Sequence, residues 1–194
     1  SSVERGTTVQ LCASCNAKDA TVYIYVGEIV GNNGPTYSQK QAEYQKIGTG
    51  WYYVVDFAAD TVGKYSIYFT ATKDGYTVTS TEKKLTVTKA SIPADEITAP
   101  TGNTPLTYNG QPQELVTAGS VDAKYGTMQY SLDKRTWSDT VPTAKDAGTY
   151  KVYYKVVGAE GYEDSKVSSP ITVTIAPKEL TITGVTFEEK TYDG

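Results

Sequence analysis

Two cysteines three residues apart, Cys12 and Cys15, are the most reactive pair in the chain. A Cys-x-x-Cys can close a local disulfide, stay as two thiols or cycle in redox catalysis. Along a straight strand three residues cover about 10 Å, beyond the roughly 7 Å limit for bridged Cα atoms. A bridge therefore requires a turn near Ala13 and Ser14. A local bridge and two free thiols both stay open. Redox catalysis does not fit, because Asn16-Ala17-Lys18-Asp19 reads as a loop where a thioredoxin-type motif needs a helix. The chain has no histidine. That removes Ser-His-Asp and Cys-His nucleophilic systems and leaves a zinc site two soft ligands at most.

Other residues invite weaker readings. Trp51 and Trp137 are candidate sugar-stacking platforms, since an exposed ring can lie against a pyranose; the favoured alternative is that each covers core or caps a hairpin. Tyr37 and Tyr44 sit in a polar stretch and join Trp51 as candidate ligand contacts. Ser131 to Trp137 reads as a turn with a packed Trp. Glu160, Glu163 and Asp164 would have to supply six or more oxygens at set spacing to hold calcium. They read instead as a solvated turn. Gly48-Thr49-Gly50 leads into a strand, so it lacks the helix dipole of a phosphate cradle. Paired carboxylates for glycoside hydrolysis need a cleft, which a thin sandwich rarely supplies. No catalytic residue, metal site or cofactor is expected.

Charge points the same way. With 18 basic and 22 acidic residues the net charge is −4, a poor balance for binding nucleic acid or anionic membrane, both of which want a basic patch. The longest uninterrupted apolar runs, 22–26 and 51–55, are five residues each, against roughly 20 for a membrane span. Direct membrane insertion is not expected.

The elements that carry these residues are strands. Seventeen Tyr against 3 Phe and 2 Trp, with abundant Thr and Val, is strand composition. A Tyr ring can bury its body and keep its hydroxyl wet, which suits a thin sandwich. Lys145-Asp146-Ala147-Gly148-Thr149-Tyr150 opens an alternating run, and Asp60-Thr61-Val62-Gly63-Lys64-Tyr65 opens a second. Each pattern is that of the corner into strand F of an immunoglobulin-like sandwich, where a Tyr hydroxyl bonds back to upstream backbone. The structural corner residues are thus Asp60, Gly63 and Tyr65, and Asp146, Gly148 and Tyr150. The position two beyond each Tyr holds Ile67 or Val152 rather than the usual Cys, so both cores forgo a bridge worth about 2–4 kcal/mol.

The chain also repeats. Gly63 and Gly148 are offset by 85; Gly75 and Gly161, Leu85 and Ile171, and Trp51 and Trp137 are each offset by 86. Lys190-Thr191-Tyr192-Asp193-Gly194 echoes Pro105 to Gly110. The expected fold is all-β: tandem immunoglobulin-like antiparallel sandwiches. The expected domains are 1–89, 90–176 and the start of a further repeat over 177–194. In the first, strands are expected at 8–13, 21–26, 51–57, 64–72 and 81–88, with a turn at Asp74-Gly75 and a polar excursion over 36–46. In the second, strands are expected at 114–117, 127–132, 135–137, 149–157 and 170–175. Ser91 to Glu96 reads as a short linker. Glu179 to Thr183, lacking the rest of their domain, are expected to pair with an exposed edge, in this chain or a neighbour.

Several of these runs resemble a known family. They are Leu106-Thr107-Tyr108-Asn109-Gly110-Gln111-Pro112-Gln113, Gln129-Tyr130-Ser131-Leu132-Asp133 with Trp137, and Pro142 through Tyr150 with Tyr153-Tyr154-Lys155-Val156. Together they resemble the Tyr-Asp-Gly (MBG-type) immunoglobulin-like repeats of large bacterial surface proteins. The match covers the second domain well and the last segment partly. It reaches the first domain only through its corner and last two strands, so that domain resembles a divergent bacterial immunoglobulin-like unit. The resemblance implies an exported stalk or adhesin segment at the cell surface or secreted, flanked by neighbouring repeats of its own chain. It implies no catalytic residues. The alternative function is adhesion to a host glycan or protein, with the first domain as the candidate module.

Overall fold

The computed structural model describes residues 1–184, 186 and 188–193. These residues form strands and turns, and their one helical element is a 3-10 turn at Ala94–Glu96. None of their helices is long and apolar enough to cross a membrane. Residue contacts divide the chain into two units. The first comprises Ser1–Pro93 with the short segments Ala123–Gly126 and Gly158–Ser165, and the second comprises Ala94–Asp122, Thr127–Val157 and Lys166–Gly194.

The first unit contains β1 (Ser2–Glu4), β2 (Thr8–Ala13), β3 (Thr21–Glu28), β4 (Thr36–Gln41), β5 (Glu43–Ile47), β6 (Gly50–Ala58), β7 (Gly63–Lys73), β8 (Tyr76–Thr79) and β9 (Lys83–Thr88). One sheet runs β1-β9-β7-β3-β4, with β8 also paired to β7; the other runs β2-β6-β5. In immunoglobulin lettering these are A′-G-F-C-C′ and B-E-D, the strand order of that sandwich. The first unit is therefore an immunoglobulin-like all-β sandwich on its own topology.

Alternation in the sequence decides which faces meet. Val22 and Ile24 on β3, Tyr65 and Ile67 on β7, and Leu85 and Val87 on β9 point inward. Tyr53 and Val55 on β6 meet them from the other sheet. Each inward set has period two, as a strand with one buried face requires. The polar stretch 36–46 is β4 followed by β5, which form one edge of each sheet. Edge strands with half their surface wet tolerate that polarity. Gly27 is required where β4 folds back. A Cβ there would lie 2.8 Å from the Pro35 side chain and 2.9 Å from the Tyr37 ring.

The second unit contains β10 (Ile97–Thr98), β11 (Thr101–Gly102), β12 (Leu106–Thr107), β13 (Gln113–Glu114), β14 (Val116–Thr117), β15 (Ser120–Val121), β16 (Gly126–Ser131), β17 (Thr143–Ala144), β18 (Gly148–Gly158) and β19 (Ile171–Ala176). One sheet has the order β12-β19-β18-β16. The facing layer is broken into short antiparallel ladders, β10 with β15, β11 with β14 and β13 with β17. Leu115, Val116, Met128, Tyr130, Val152, Val156, Val173 and Ile175 form its buried core.

Three expectations are overturned. Arg135 to Trp137 is not a strand: only an isolated bridge, Tyr130 to Ser138, follows β16. The Ser131 and Asp133 side chains capture the local amides instead. The last strand of the first unit begins at Lys83 rather than Thr81, because residues 76–79 form a separate strand on β7. Among the described residues, Glu179 to Thr183 form no strand and pair with no edge of this chain. Leu180 and Ile182 are 92% and 91% exposed. A run with no neighbouring layer has nothing against which to bury alternate residues.

Candidate functional site

The aromatic residues fall into two groups. On the β5–β6 hairpin, Tyr44 stands opposite Tyr53 and Lys46 opposite Trp51. Tyr53 is buried and its hydroxyl donates to the Ala17 carbonyl at 2.9 Å. Burial raises the Tyr53 phenol above its ordinary range, the backbone near Ala20 opposing it. The Tyr44 ring tilts against Tyr53 at 4.9 Å, and Trp51 stacks on Tyr44 at 5.3 Å and 16°. The three rings form a column that begins in the core and ends at Trp51, which stays 53% exposed. Trp51 thus caps the core and also presents free indole surface.

Tyr37 lies on the other sheet. Its hydroxyl donates to Glu82 Oε1 at 2.8 Å, and its ring meets Tyr68 edge-on at 4.9 Å. Tyr68 in turn stacks on Tyr25 at 4.7 Å and 4°. The Tyr37 hydrogen bond, helped by Lys84, lowers the Glu82 carboxyl below its ordinary range. The structure therefore joins Tyr44 to Trp51 and separates Tyr37 from both. Sequence spacing missed the Tyr25–Tyr68–Tyr37 group. Its available signal was the alternation of Tyr23 and Tyr25 opposite the face carrying Val22 and Ile24.

Trp137 is not the counterpart of Trp51 despite the shared offset. Trp51 belongs to β6, the middle strand of the smaller sheet. Trp137 lies in the loop after β16, with Lys155 Nζ 4.9 Å over its ring. In that loop Ser131 Oγ accepts from the amides of Asp133 and Lys134 at 3.2 and 2.8 Å. Asp133 Oδ1 accepts from the amides of Arg135 and Thr136 at 2.7 and 2.8 Å. Those amides hold the Asp133 carboxyl down at about 2. The turn is a self-contained hydrogen-bonded cage that spends its carboxylate on the backbone.

At the two corners, Tyr65 donates to the Thr61 carbonyl at 2.9 Å and Tyr150 to the Asp146 carbonyl at 2.8 Å. Both acceptors lie four residues upstream. The corner aspartates contribute through their carbonyls: Asp146 takes the Tyr150 hydroxyl, and Asp60 takes Arg5 Nε at 2.8 Å. Ile67 and Val152 are both buried, at 6% and 0% exposure.

Cys12 and Cys15 are unpaired thiols, one exposed and one half-buried. Cys12 lies on β2, and Cys15 follows the strand and packs against the core. Within the acidic segment, Asp164 Oδ1 accepts from Gly158 N at 3.0 Å, and Glu163 N donates to the Ala90 carbonyl at 3.0 Å. That segment is fastened by hydrogen bonds rather than arranged as a ligand ring.

No family model matches the chain, and no curated protein matches it. Among solved structures, an amphioxus IgVJ-C2 molecule aligns over 91% of this chain and 99% of its own, at 12% identity and a TM-score of 0.34. A chimeric titin Z1Z2-Z1Z2 tandem functionalized with a GRGDS peptide from fibronectin aligns over 92% and 95%, at 17% identity and a TM-score of 0.25. The immunoglobulin-like assignment rests on the strand order of the first unit, not on these likenesses.

Proposed function

We propose that the chain is a non-enzymatic, load-bearing segment of an exported bacterial surface protein, built of immunoglobulin-like domains over 1–89 and 90–176 with a further repeat beginning at 177. The observation that carries this reading is the placement of the terminal strands. In the first unit β1 lies parallel to β9, pairing Ser2 with Thr86 and Glu4 with Thr88. In the second, β12 lies parallel to β19, pairing Leu106 with Ile175. Tension applied at the ends of either unit slides these neighbours along each other. Their hydrogen bonds, such as Arg5 N to Thr88 O at 2.9 Å and Tyr108 N to Ala176 O at 2.8 Å, are then loaded together rather than opened one by one. A spacer under pull needs that geometry.

Force spectroscopy with handles at both termini tests it. Two separate high-force unfolding events are expected, and replacing Thr86 with Pro should weaken one of them. Smooth opening at low force in both units would refute the load-bearing role. The surface location predicts that antibodies to this segment label intact producing cells; labelling only after permeabilisation would refute it.

A second reading, glycan adhesion through the first unit, is favoured by Trp51. Its one face is backed by Tyr44 and the rest is open, which is how an indole stacks on a sugar. Binding on a glycan array that disappears in Trp51→Ala supports this reading. A folded wild-type sample silent across the array leaves only the spacer.

A further inference from the structure

The β7–β8 hairpin leaves a strand edge bare. Ser80 N donates to Phe69 O at 2.8 Å, so the 69–80 pair is hydrogen-bonded. The ladder alternates from there: residues 76 and 78 bond toward β7, while Thr77 and Thr79 turn both N–H and C=O away from it. Among the described residues no strand pairs with that outer side. Every residue of β8 is exposed. Tyr76 and Val78, 81% and 64% exposed, share the face that carries the core farther down β7.

The cause is a mismatch in length. β2 ends at Ala13, whereas β7 runs on to Lys73 opposite Tyr76. The inner face of the larger sheet therefore projects past its cover. A cleft of about 160 Å³, lined by Ala13, Cys15, Phe69, Ala71 and Val78 among others, marks the open mouth. Natural sheets shield such edges with lysine, proline or a bulge. β8 reads Tyr-Thr-Val-Thr and has none of these.

We propose that β8 is a self-pairing edge, adding antiparallel to β8 of a second copy about a two-fold axis at Val78. This register is the one that satisfies every outward backbone group of both strands. Thr77 of each copy faces Thr79 of the other as a hydrogen-bonded pair, twice over. Val78 meets Val78 at a close, non-hydrogen-bonded position on the apolar face, with Tyr76 beside it from each side. Cross-strand apolar contacts of this kind stabilise antiparallel pairs. The flanking charges are already neutralised, Lys73 by Asp19 at 2.7 Å and Glu82 by Lys84 at 3.2 Å. The contact is isologous, so it closes as a dimer. It would join two such molecules side by side, whatever force they carry.

Sedimentation velocity across a concentration series tests this. Four-residue strands bury less than a standard interface, so dimer should appear at about 0.1–1 mM. Thr77→Pro removes an outward donor and keeps the backbone ladder to β7, losing within the chain only the exposed Thr72–Thr77 hydroxyl contact. It should weaken association at least about tenfold, with Trp51 fluorescence unchanged and the unfolding midpoint of the first unit no lower than that of Thr77→Val, which removes the same hydroxyl but keeps the donor and the dimer. In a Cys12→Ser, Cys15→Ser background, Val78→Cys should oxidise to a covalent dimer, because non-hydrogen-bonded partners lie about 4.5 Å apart at Cα. Tyr76→Cys, four residues or about 13 Å out of register with its own copy, should not. A strictly monomeric chain at about 1 mM, or equal cross-linking of the two cysteine variants, overturns the proposal.

Discussion

Removing one hydroxyl from each corner should cost the two units unequally. Tyr65 is 8% exposed and its bond to Thr61 O, 2.9 Å long, is part-buried. The matching bond from Tyr150 to Asp146 O, 2.8 Å long, is exposed. In Tyr65→Phe the Thr61 carbonyl loses its donor where water replaces it poorly, so the cost should be about 1.5 kcal/mol. In Tyr150→Phe water takes the vacated place, and about 0.5 kcal/mol should be lost. For domains of this size these losses correspond to about 6–12 °C and about 2–4 °C in Tm. The assay is urea unfolding followed by tryptophan fluorescence. Trp51 and Trp137 are the two tryptophans of the chain, one in each unit, so Trp137→Phe isolates the first unit's transition and Trp51→Phe the second's. Burial, reinforced by Glu28, also raises the Tyr65 phenol above its ordinary value of 10.0. The folded state thus holds this proton more tightly than the unfolded state does. Its contribution is complete below about pH 10 and is lost as pH climbs through the folded value. Tyr65→Phe should therefore flatten the alkaline limb of the first unit. Equal losses at both corners, or no loss at Tyr65, would refute the reasoning.

Acid should act on the other unit through the loop after β16. The Asp133 carboxyl is held at about 2 against an ordinary 3.8, so its contribution is present above pH 3.8 and is lost as pH falls toward 2; Asp133→Asn should remove that part of the acid dependence in a pH series of midpoints. Ile175→Ala empties a fully buried position on β19 and should cost the second unit about 2–5 kcal/mol, read as the Trp137 transition moving while the Trp51 transition stays. Gly119→Ala would bring a Cβ within 2.5 Å of Thr98 O and 2.7 Å of Pro100 N; this clash with backbone should cost about 1–3 kcal/mol, and an unchanged midpoint would mean that the β10–β15 connection shifts freely.

Parts of this architecture can be read directly from residue types. A Tyr placed two residues after Gly, followed by alternation, carries its own geometry, so both corners stand out. Period-two burial on β2 and β3 is visible because one face of each is aliphatic. Other features are hidden by the way lengths compensate. Trp51 and Trp137 share an offset of 86 because each precedes the next corner glycine, Gly63 or Gly148, by 12 or 11 residues, yet a strand, β6, fills that span in the first unit and the loop after β16 opens it in the second. β8 was concealed because Ser80-Thr81-Glu82, where the chain leaves β8 for β9, contains neither Gly nor Pro. The stacking of Trp51 on Tyr44, and the isolation of Tyr37 from both, depend on which sheet each edge strand joins. Spacing along the chain does not encode that.

Ile67 and Val152 occupy the places where a covalent clasp between sheets would otherwise sit. Folding of either unit therefore waits on no inter-sheet disulfide, and in a Cys12→Ser, Cys15→Ser background its rate should be indifferent to the redox poise of its surroundings. A unit that has come open has no inter-sheet disulfide to re-form.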